Sequence, residues 1–262
     1  MRAPHRDDGL AGRVAVITGG ASGIGRALAV AYARAGAHSV VGHYPADPHD
    51  VGETVDAVTA AGGRCLPVEV DVAHTASVDA LAQAAVDGFG RLDIAVAGAG
   101  ILRRAPLDEL TDDRWDEMLA VDLTGVMRTL RACASHMTGG GAMVAVASIM
   151  GGVYGWEEHA HYSAAKAGVV GLCRALAVEL APRGIRVNAI VPGLIESPQS
   201  LDPVNSLGPD GLAKAALGIP LARIGTTDEA ARVIRFLTSD DAAYVTGQEI
   251  VADGGLAVRY PS

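Results

Sequence analysis

Tyr162 and Lys166 stand four residues apart in Tyr162-Ser163-Ala164-Ala165-Lys166, so on a helix a phenol and an ammonium share one face. A phenol, with an ordinary pKa of ~10, holds its proton too firmly for ready exchange near neutral pH, and a fixed ammonium stabilises the phenolate. Such a pair is a device for passing a proton to or from an oxygen. Lysine suits the place better than arginine, because a compact ammonium can bond sugar hydroxyls while facing the phenol. The choice is informative here, since Lys166 and Lys214 are the only lysines among 21 basic residues. Taken alone, the spacing also fits an ordinary solvated helix face. Ser148 adds the second hydroxyl: it follows an apolar run that reads as a strand, so it reaches the rim from which the Tyr162 helix starts. Two hydroxyls on one rim can hold one carbonyl oxygen.

A third cluster lies near the start of the chain. Thr18-Gly19-Gly20-Ala21-Ser22-Gly23-Ile24-Gly25 follows a β-branched run and opens a helical one. Glycines there permit a tight turn and close backbone approach, and a helix N-terminus favours a pyrophosphate. An ordinary strand–helix turn is the plainer alternative. Ser22 does not stand in a Gly-x-Ser-x-Gly frame, which disfavours a hydrolase elbow. Asp71-Val72 closes another strand-like run; its carboxylate could meet an adenine, or could cap the next turn.

The elements that must position these groups alternate strand and helix, the order of a parallel sheet covered on both faces. Strands are expected over Val14–Thr18, Ser39–His43, Arg64–Val70, Ile94–Ala97, Ala142–Ala147, Arg186–Ile190 and Glu249–Val251. Helices are expected over Gly23–Arg34, Glu53–Ala60, Ser77–Val86 (stopped by Gly88), Asp112–Met137, Tyr162–Leu180 and Thr227–Leu237. The stretch Pro192–Gly211, rich in Pro, Gly and Ser, reads as irregular. No linker or repeat divides the chain, so one domain is expected from residue 10 to 262, after a tail over residues 1–9. The 262 residues, half of them hydrophobic, suffice for one large α/β core. A net charge of -9 argues against nucleic-acid and anionic-membrane partners. No apolar run approaches the ~20 residues that span a bilayer, and no signal-peptide core is evident. Cys65, Cys133 and Cys173 read as buried free thiols, which points to the cytoplasm.

From about Leu10 to Gly255 the chain resembles the short-chain dehydrogenase/reductase family. The resemblance is carried by the Gly19/Gly23/Gly25 turn, Asp71, Ser148, Tyr162 with Lys166, Asn188-Ala189-Ile190-Val191-Pro192-Gly193, Arg223-Ile224-Gly225, Val245-Thr246-Gly247-Gln248 and Asp253-Gly254-Gly255. It implies a Rossmann-type, three-layer α/β/α fold with a doubly wound sheet of seven parallel strands. It also implies an NAD(P)-dependent oxidoreductase that interconverts a carbonyl and a secondary alcohol. Tyr162 would be the general acid in reduction and the base in oxidation, Lys166 would bind the nicotinamide ribose, and Ser148 would hold the substrate oxygen. Pro192, Gly193 and Ile195 would flank the nicotinamide. A homotetramer or homodimer packed through the helices near Asp112–Met137 and Tyr162–Leu180 is expected.

Two positions depart from the family's pattern. Ala97-Gly98-Ala99-Gly100 replaces its usual Asn-Asn-Ala-Gly, which keeps close backbone approach but removes the asparagine hydrogen bonds and predicts a looser strand end. Asp122, in Val121-Asp122-Leu123-Thr124-Gly125, stands where the family has a catalytic asparagine. A carboxylate near Lys166 favours the ammonium and weakens its effect on Tyr162. After the second strand, Gly42-His43-Tyr44 offers no acid before Asp47, so NADP(H) is favoured over NAD(H), with His43 and Tyr44 near the ribose; Ser22, where many NADP users carry a basic residue, argues the other way. The expected substrate wall is Met150, Tyr154, Trp156 and His159, with residues 194–217 as a closing loop. His159-Ala160-His161 lacks a third ligand cluster, so no metal is expected. Two other functions remain open: a catalytically altered dinucleotide-binding sensor or scaffold, and a ketoreductase acting on acyl carriers through Arg103, Arg104, Arg128 and Arg131.

Overall fold

The computed structural model describes residues 8–259. In chain order its elements are β1 (Val14–Thr18), α1 (Gly23–Arg34), β2 (His38–His43), α2 (Val51–Ala60), β3 (Cys65–Glu69), α3 (Thr75–Phe89), β4 (Ile94–Ala97), α4 (Asp112–Leu119), α5 (Val126–His136), β5 (Gly141–Val146), α6 (Ala160–Leu180), β6 (Ile185–Pro192), β7 (Ile195–Glu196), α7 (Pro198–Leu201), α8 (Gly208–Ala216), β8 (Gly225–Thr226), α9 (Thr227–Thr238) and β9 (Glu249–Ala252). Seven strands form one parallel sheet in the order β3-β2-β1-β4-β5-β6-β9, and β7 pairs with β8 beside it. The order reverses between β1 and β4, which opens a crevice at their carboxyl ends.

The central strands β1 and β4 are apolar and buried because both sheet faces are covered there, whereas the edge strands β3 and β9 are partly exposed and carry Glu69 and Glu249. Alternate residues serve opposite faces. Val14, Val16, Ala95, Met143 and Val187 pack toward α3, α5 and α6. Ala15, Ile17, Val96, Val144 and Ile190 pack toward α1, α2 and α9. The result is the doubly wound, three-layer arrangement expected from the alternating pattern.

Three local expectations are corrected. Helix α3 runs through Gly88 and ends at Gly90, whose φ of 77° supplies the left-handed cap that Gly88 does not. The single helix expected over Asp112–Met137 is interrupted by a π-helical turn, Ala120–Gly125, that separates α4 from α5. Such a turn holds an extra residue and is recurrent at functional sites; here it carries Asp122. The Pro/Gly/Ser-rich stretch is largely ordered into β7, α7 and α8, because Ser197 and Ser200 form a reciprocal capping box and Pro198 starts the helix. Of the tail expected over residues 1–9, residues 1–7 lie outside the described residues. The Asp8 carboxylate pairs with Arg235, and its carbonyl accepts from the Asp240 N–H at 3.0 Å.

Candidate active site

The cleft lies at the carboxyl ends of β1, β4, β5 and β6. Its nucleotide-sized end is the turn between β1 and α1. Gly19 has a φ of 73°, and a Cβ on Gly25 would sit 2.3 Å from the Gly19 carbonyl, so side chains are excluded there. Ser22 is the N-cap of α1 yet its hydroxyl caps nothing, and the first turn contains no acid. The helix therefore presents uncapped N–H groups and an uncompensated positive end to the cleft. The turn is braced from behind: Thr54, fully buried, donates to the Gly20 carbonyl at 3.0 Å, and Arg26 donates through Nε to the Ala21 carbonyl at 3.0 Å. These features fit the pyrophosphate of a dinucleotide.

The strand end at Ala97-Gly98-Ala99-Gly100 is held differently from the expectation. Thr18 Oγ1, at the end of the neighbouring strand, accepts from the Gly98 N–H at 3.1 Å and the Ala99 N–H at 3.3 Å. A buried threonine thus supplies an acceptor where the family pattern would place amide side chains, and the strand end is tied. Nothing in the spacing of Ala97–Gly100 announced this; the signal was Thr18, directly before the glycine turn.

Deeper in the cleft, Ser148 follows β5. Its Oγ accepts from the Met150 N–H at 3.2 Å, which fixes the hydroxyl at the rim. Tyr162, 7% exposed, lies in the first turn of α6, and Lys166 one turn on places its Nζ 5.6 Å from the Tyr162 ring centre. The ammonium is almost fully buried. It donates to the Val146 carbonyl at 3.1 Å and faces Asp122 Oδ2 at 3.0 Å. An ammonium has three N–H groups, so at least one remains for the cleft. The other Asp122 oxygen accepts from the Ile101 N–H at 2.8 Å. Burial pushes the Asp122 carboxyl up, opposed by Lys166 and the Ile101 N–H. Burial works against the Lys166 ammonium as well, but the charges of Asp122 and Tyr162 carry its net shift upward. Lys166 is thereby kept charged. Gly100 permits this arrangement, since a Cβ there would stand 2.8 Å from Asp122 Oδ2 and 3.4 Å from Lys166 Nζ.

Of the residues expected at the site, Gly19, Ser22, Gly23, Ile24, Gly25, Gly98, Ser148, Met150, Trp156, Tyr162, Lys166, Pro192, Gly193 and Ile195 line this one cleft. Asp122 backs Lys166, and Ala97 is buried at the end of β4. His43, Tyr44, Asp71, Val72, Tyr154 and His159 do not line it. Asp71 is engaged in a turn, accepting from the Ala73 N–H at 2.9 Å, and Val72 packs against Gly125. Tyr154 donates to the Leu256 carbonyl at 2.8 Å. His159 is a support: it stacks on Trp156 at 4.0 Å between centroids, and its ring nitrogens lie 2.7 Å from the Glu157 carbonyl and 3.1 Å from the Asn205 carbonyl. Sequence reasoning missed Leu102 in the lining and passed over Asp47 as too distant an acid, while Leu194 and Ser206 fall within the loop expected to close the site.

A doubly wound sheet with a phosphate cradle at its switch point and a Tyr–Lys pair beside a serine defines a dinucleotide-dependent oxidoreductase. The comparisons carry this further. The family described as enoyl-(acyl carrier protein) reductase matches residues 19–257. The cis-4-hydroxycyclohexanecarboxylate dehydrogenase of Sinomonas cyclohexanicum is 43% identical, over 95% of this chain and 98% of its own. A short-chain type dehydrogenase/reductase from Mycobacterium marinum superposes with a TM-score of 0.86 at 34% identity, covering 94% of this chain and 96% of that one. Carveol dehydrogenase from Mycobacterium avium, solved with NAD, superposes with a TM-score of 0.88 at 33% identity, covering 95% and 99%. The chain belongs to the short-chain dehydrogenase/reductase family and is an NAD(P)-dependent oxidoreductase of the kind that interconverts carbonyls and alcohols.

Proposed function

We propose that the chain reduces an uncharged apolar ketone, or oxidises the matching secondary alcohol, with Tyr162 as the proton-transferring group. The observation that carries this reading is the buried Lys166 ammonium beside Tyr162. Held by Val146 and Asp122, it cannot swing away, and it stabilises negative charge on the phenol oxygen. Ser148 would hold the substrate oxygen, and Tyr162 would give that oxygen a proton in reduction and take it back in oxidation. The third Lys166 N–H would bond the nicotinamide ribose. The uncapped start of α1, with Gly19, Gly23 and Gly25, would hold the pyrophosphate, while Pro192, Gly193 and Ile195 would flank the nicotinamide. The bound nucleotide supplies or accepts the hydride.

The substrate end supports an apolar ligand. Leu102, Met150, Trp156 and Leu194 line it, with Ser206 as a polar contact. Trp156 offers a flat face fixed by His159, suited to a ring. The cyclohexane ring in the substrate for which one relative is named is in keeping with this flat face, whereas the carboxylate on that ring is not matched by the apolar lining. Of the four arginines that would serve the acyl-carrier reading, Arg104 is paired with Glu158 and Arg128 donates to the Val72 and Ala120 carbonyls, which leaves Arg103 and Arg131 to carry it. The sensor reading rests on Asp122 alone, and the Lys166 ammonium that Asp122 faces is in place.

We further read residues 10–262 as one domain in which 194–217 cover the substrate. Assembly as a homotetramer or homodimer through α5 and α6, and a cytoplasmic setting in keeping with the free thiols of Cys65, Cys133 and Cys173, complete the reading. The test is nucleotide binding followed by turnover of a panel of cyclic and linear carbonyls. Tyr162→Phe is expected to cut kcat at least ~10³-fold with nucleotide affinity within about twofold of wild type. Retained turnover would remove Tyr162 from the proton-transfer role.

A further inference from the structure

Strand β2 ends in Gly42-His43 without a carboxylate, yet an acid reaches the nucleotide end of the cleft from further along the chain. Asp47 lines the cleft together with Ser22, Gly23 and Ile24. A turn brings it there, the Asp47 N–H donating to the Tyr44 carbonyl at 3.0 Å. Its Oδ1 accepts from the His49 N–H at 2.9 Å and lies 2.8 Å from His49 Nδ1. Oδ2 has no protein partner among the described residues. The carboxylate is therefore held by one oxygen and presents the other.

The surrounding charges matter as much. No arginine lines the cleft, and its one lysine, Lys166, sits beside Tyr162 at the other end. Arg26, one residue beyond the glycine turn, is bound to the Ala21 carbonyl, to Thr54 and to Glu53, the last at 2.6 Å. Tyr44 is outside the lining and half exposed. A vicinal diol can donate to a fixed carboxylate oxygen. A phosphate at the 2′ position would instead bring like charge against Asp47 with no cation to balance it.

We infer that Asp47 reads the adenosine ribose and selects NAD(H) over NADP(H), with His49 as the positioning residue that holds the carboxylate. The inference rests on the nucleotide-binding reading above and replaces the preference for NADP(H) drawn from Gly42-His43-Tyr44. Asp47 stands three residues past Tyr44, so the end of β2, where such an acid is sought in a sequence, gives no sign of it.

The test is equilibrium binding of NADH and of NADPH without substrate, followed by nicotinamide fluorescence. Wild type, Asp47→Asn, Asp47→Ser and His49→Ala are compared, with melting temperature as the folding control. Wild type should prefer NADH by about a hundredfold, the scale of one charge-assisted contact and one charge conflict combined. Asp47→Asn and Asp47→Ser should each shrink that ratio by about tenfold or more, weakening NADH and strengthening NADPH. His49→Ala should move it the same way by less. Equal affinities or an NADPH preference in wild type, or an unchanged ratio in both Asp47 variants, overturns the assignment while leaving the oxidoreductase reading standing. Failure of both nucleotides to bind overturns the two together.

Discussion

Replacing Asp122 by asparagine removes one charge from the buried pair behind Tyr162 while keeping its shape. The amide oxygen of the variant side chain can still accept from the Ile101 N–H, so the π-helical turn stays joined to the chain at Ile101. What changes is the field at the phenol. Lys166 Nζ is 5.6 Å from the Tyr162 ring centre, and Asp122 Oδ2 is 3.0 Å from Nζ. The carboxylate is therefore at most about 9 Å from the ring, and at an effective dielectric constant of ~20 it opposes a phenolate by about 2 kcal/mol. That corresponds to about one pH unit in any rate that depends on the phenolate. The assay is the pH dependence of kcat/KM for alcohol oxidation in wild type and Asp122→Asn. The rising limb of the variant should lie about one pH unit lower, with the nucleotide Kd little changed. An unmoved limb would show that burial keeps Asp122 protonated and that its contact with Lys166 is not a charge pair. A limb moved to higher pH would refute the electrostatic argument outright.

Gly100→Ala should lower kcat by about tenfold or more with a small effect on melting temperature, because its Cβ displaces the Asp122–Lys166 pair and not the core. Thr18→Val leaves the Gly98 and Ala99 N–H groups without their acceptor and should cost about 1–3 kcal/mol in denaturant unfolding. The Glu229 carboxylate is pulled down to about 2 by hydrogen bonds from Arg223 and then from the Thr226 N–H at the start of α9. A group depressed in the folded state stabilises at pH above its unfolded pKa and loses that contribution as pH falls toward its folded value. Glu229→Gln should therefore lower the melting temperature near neutrality, and the gap from wild type should narrow as the pH falls from about 5 towards about 2.

Much of this molecule was readable in order. The strand at Val14–Thr18 and the helix at Gly23–Arg34 announce themselves because apolar period and glycine punctuation agree. The Ser148, Tyr162 and Lys166 cluster was readable because sheet topology forces strand ends and helix starts onto one rim. The π-helical turn was not, since the apolar spacing of Ala120–Gly125 continues the helical period on either side, and nothing in it announces the turn that sets Asp122 between Ile101 and Lys166. His159 was misleading for a related reason. A histidine near a cleft looks like a ligand-binding group until its two ring nitrogens are found facing backbone carbonyls. Asp47 was seen in the sequence but passed over as lying too far beyond the second strand, because its position depends on a turn, and turns carry side chains to places that periodicity does not report.

The scarcity of lysine has a practical consequence. Lys166 is buried beneath the phenol, whereas Lys214 stands exposed on α8. Of the two lysines, an amine-directed dye will therefore modify Lys214 in the folded protein, leaving the interior ammonium untouched. A fluorophore at Lys214 would sit on α8, eight residues past Ser206 of the cleft lining, a vantage point from which to watch ligand entry in real time.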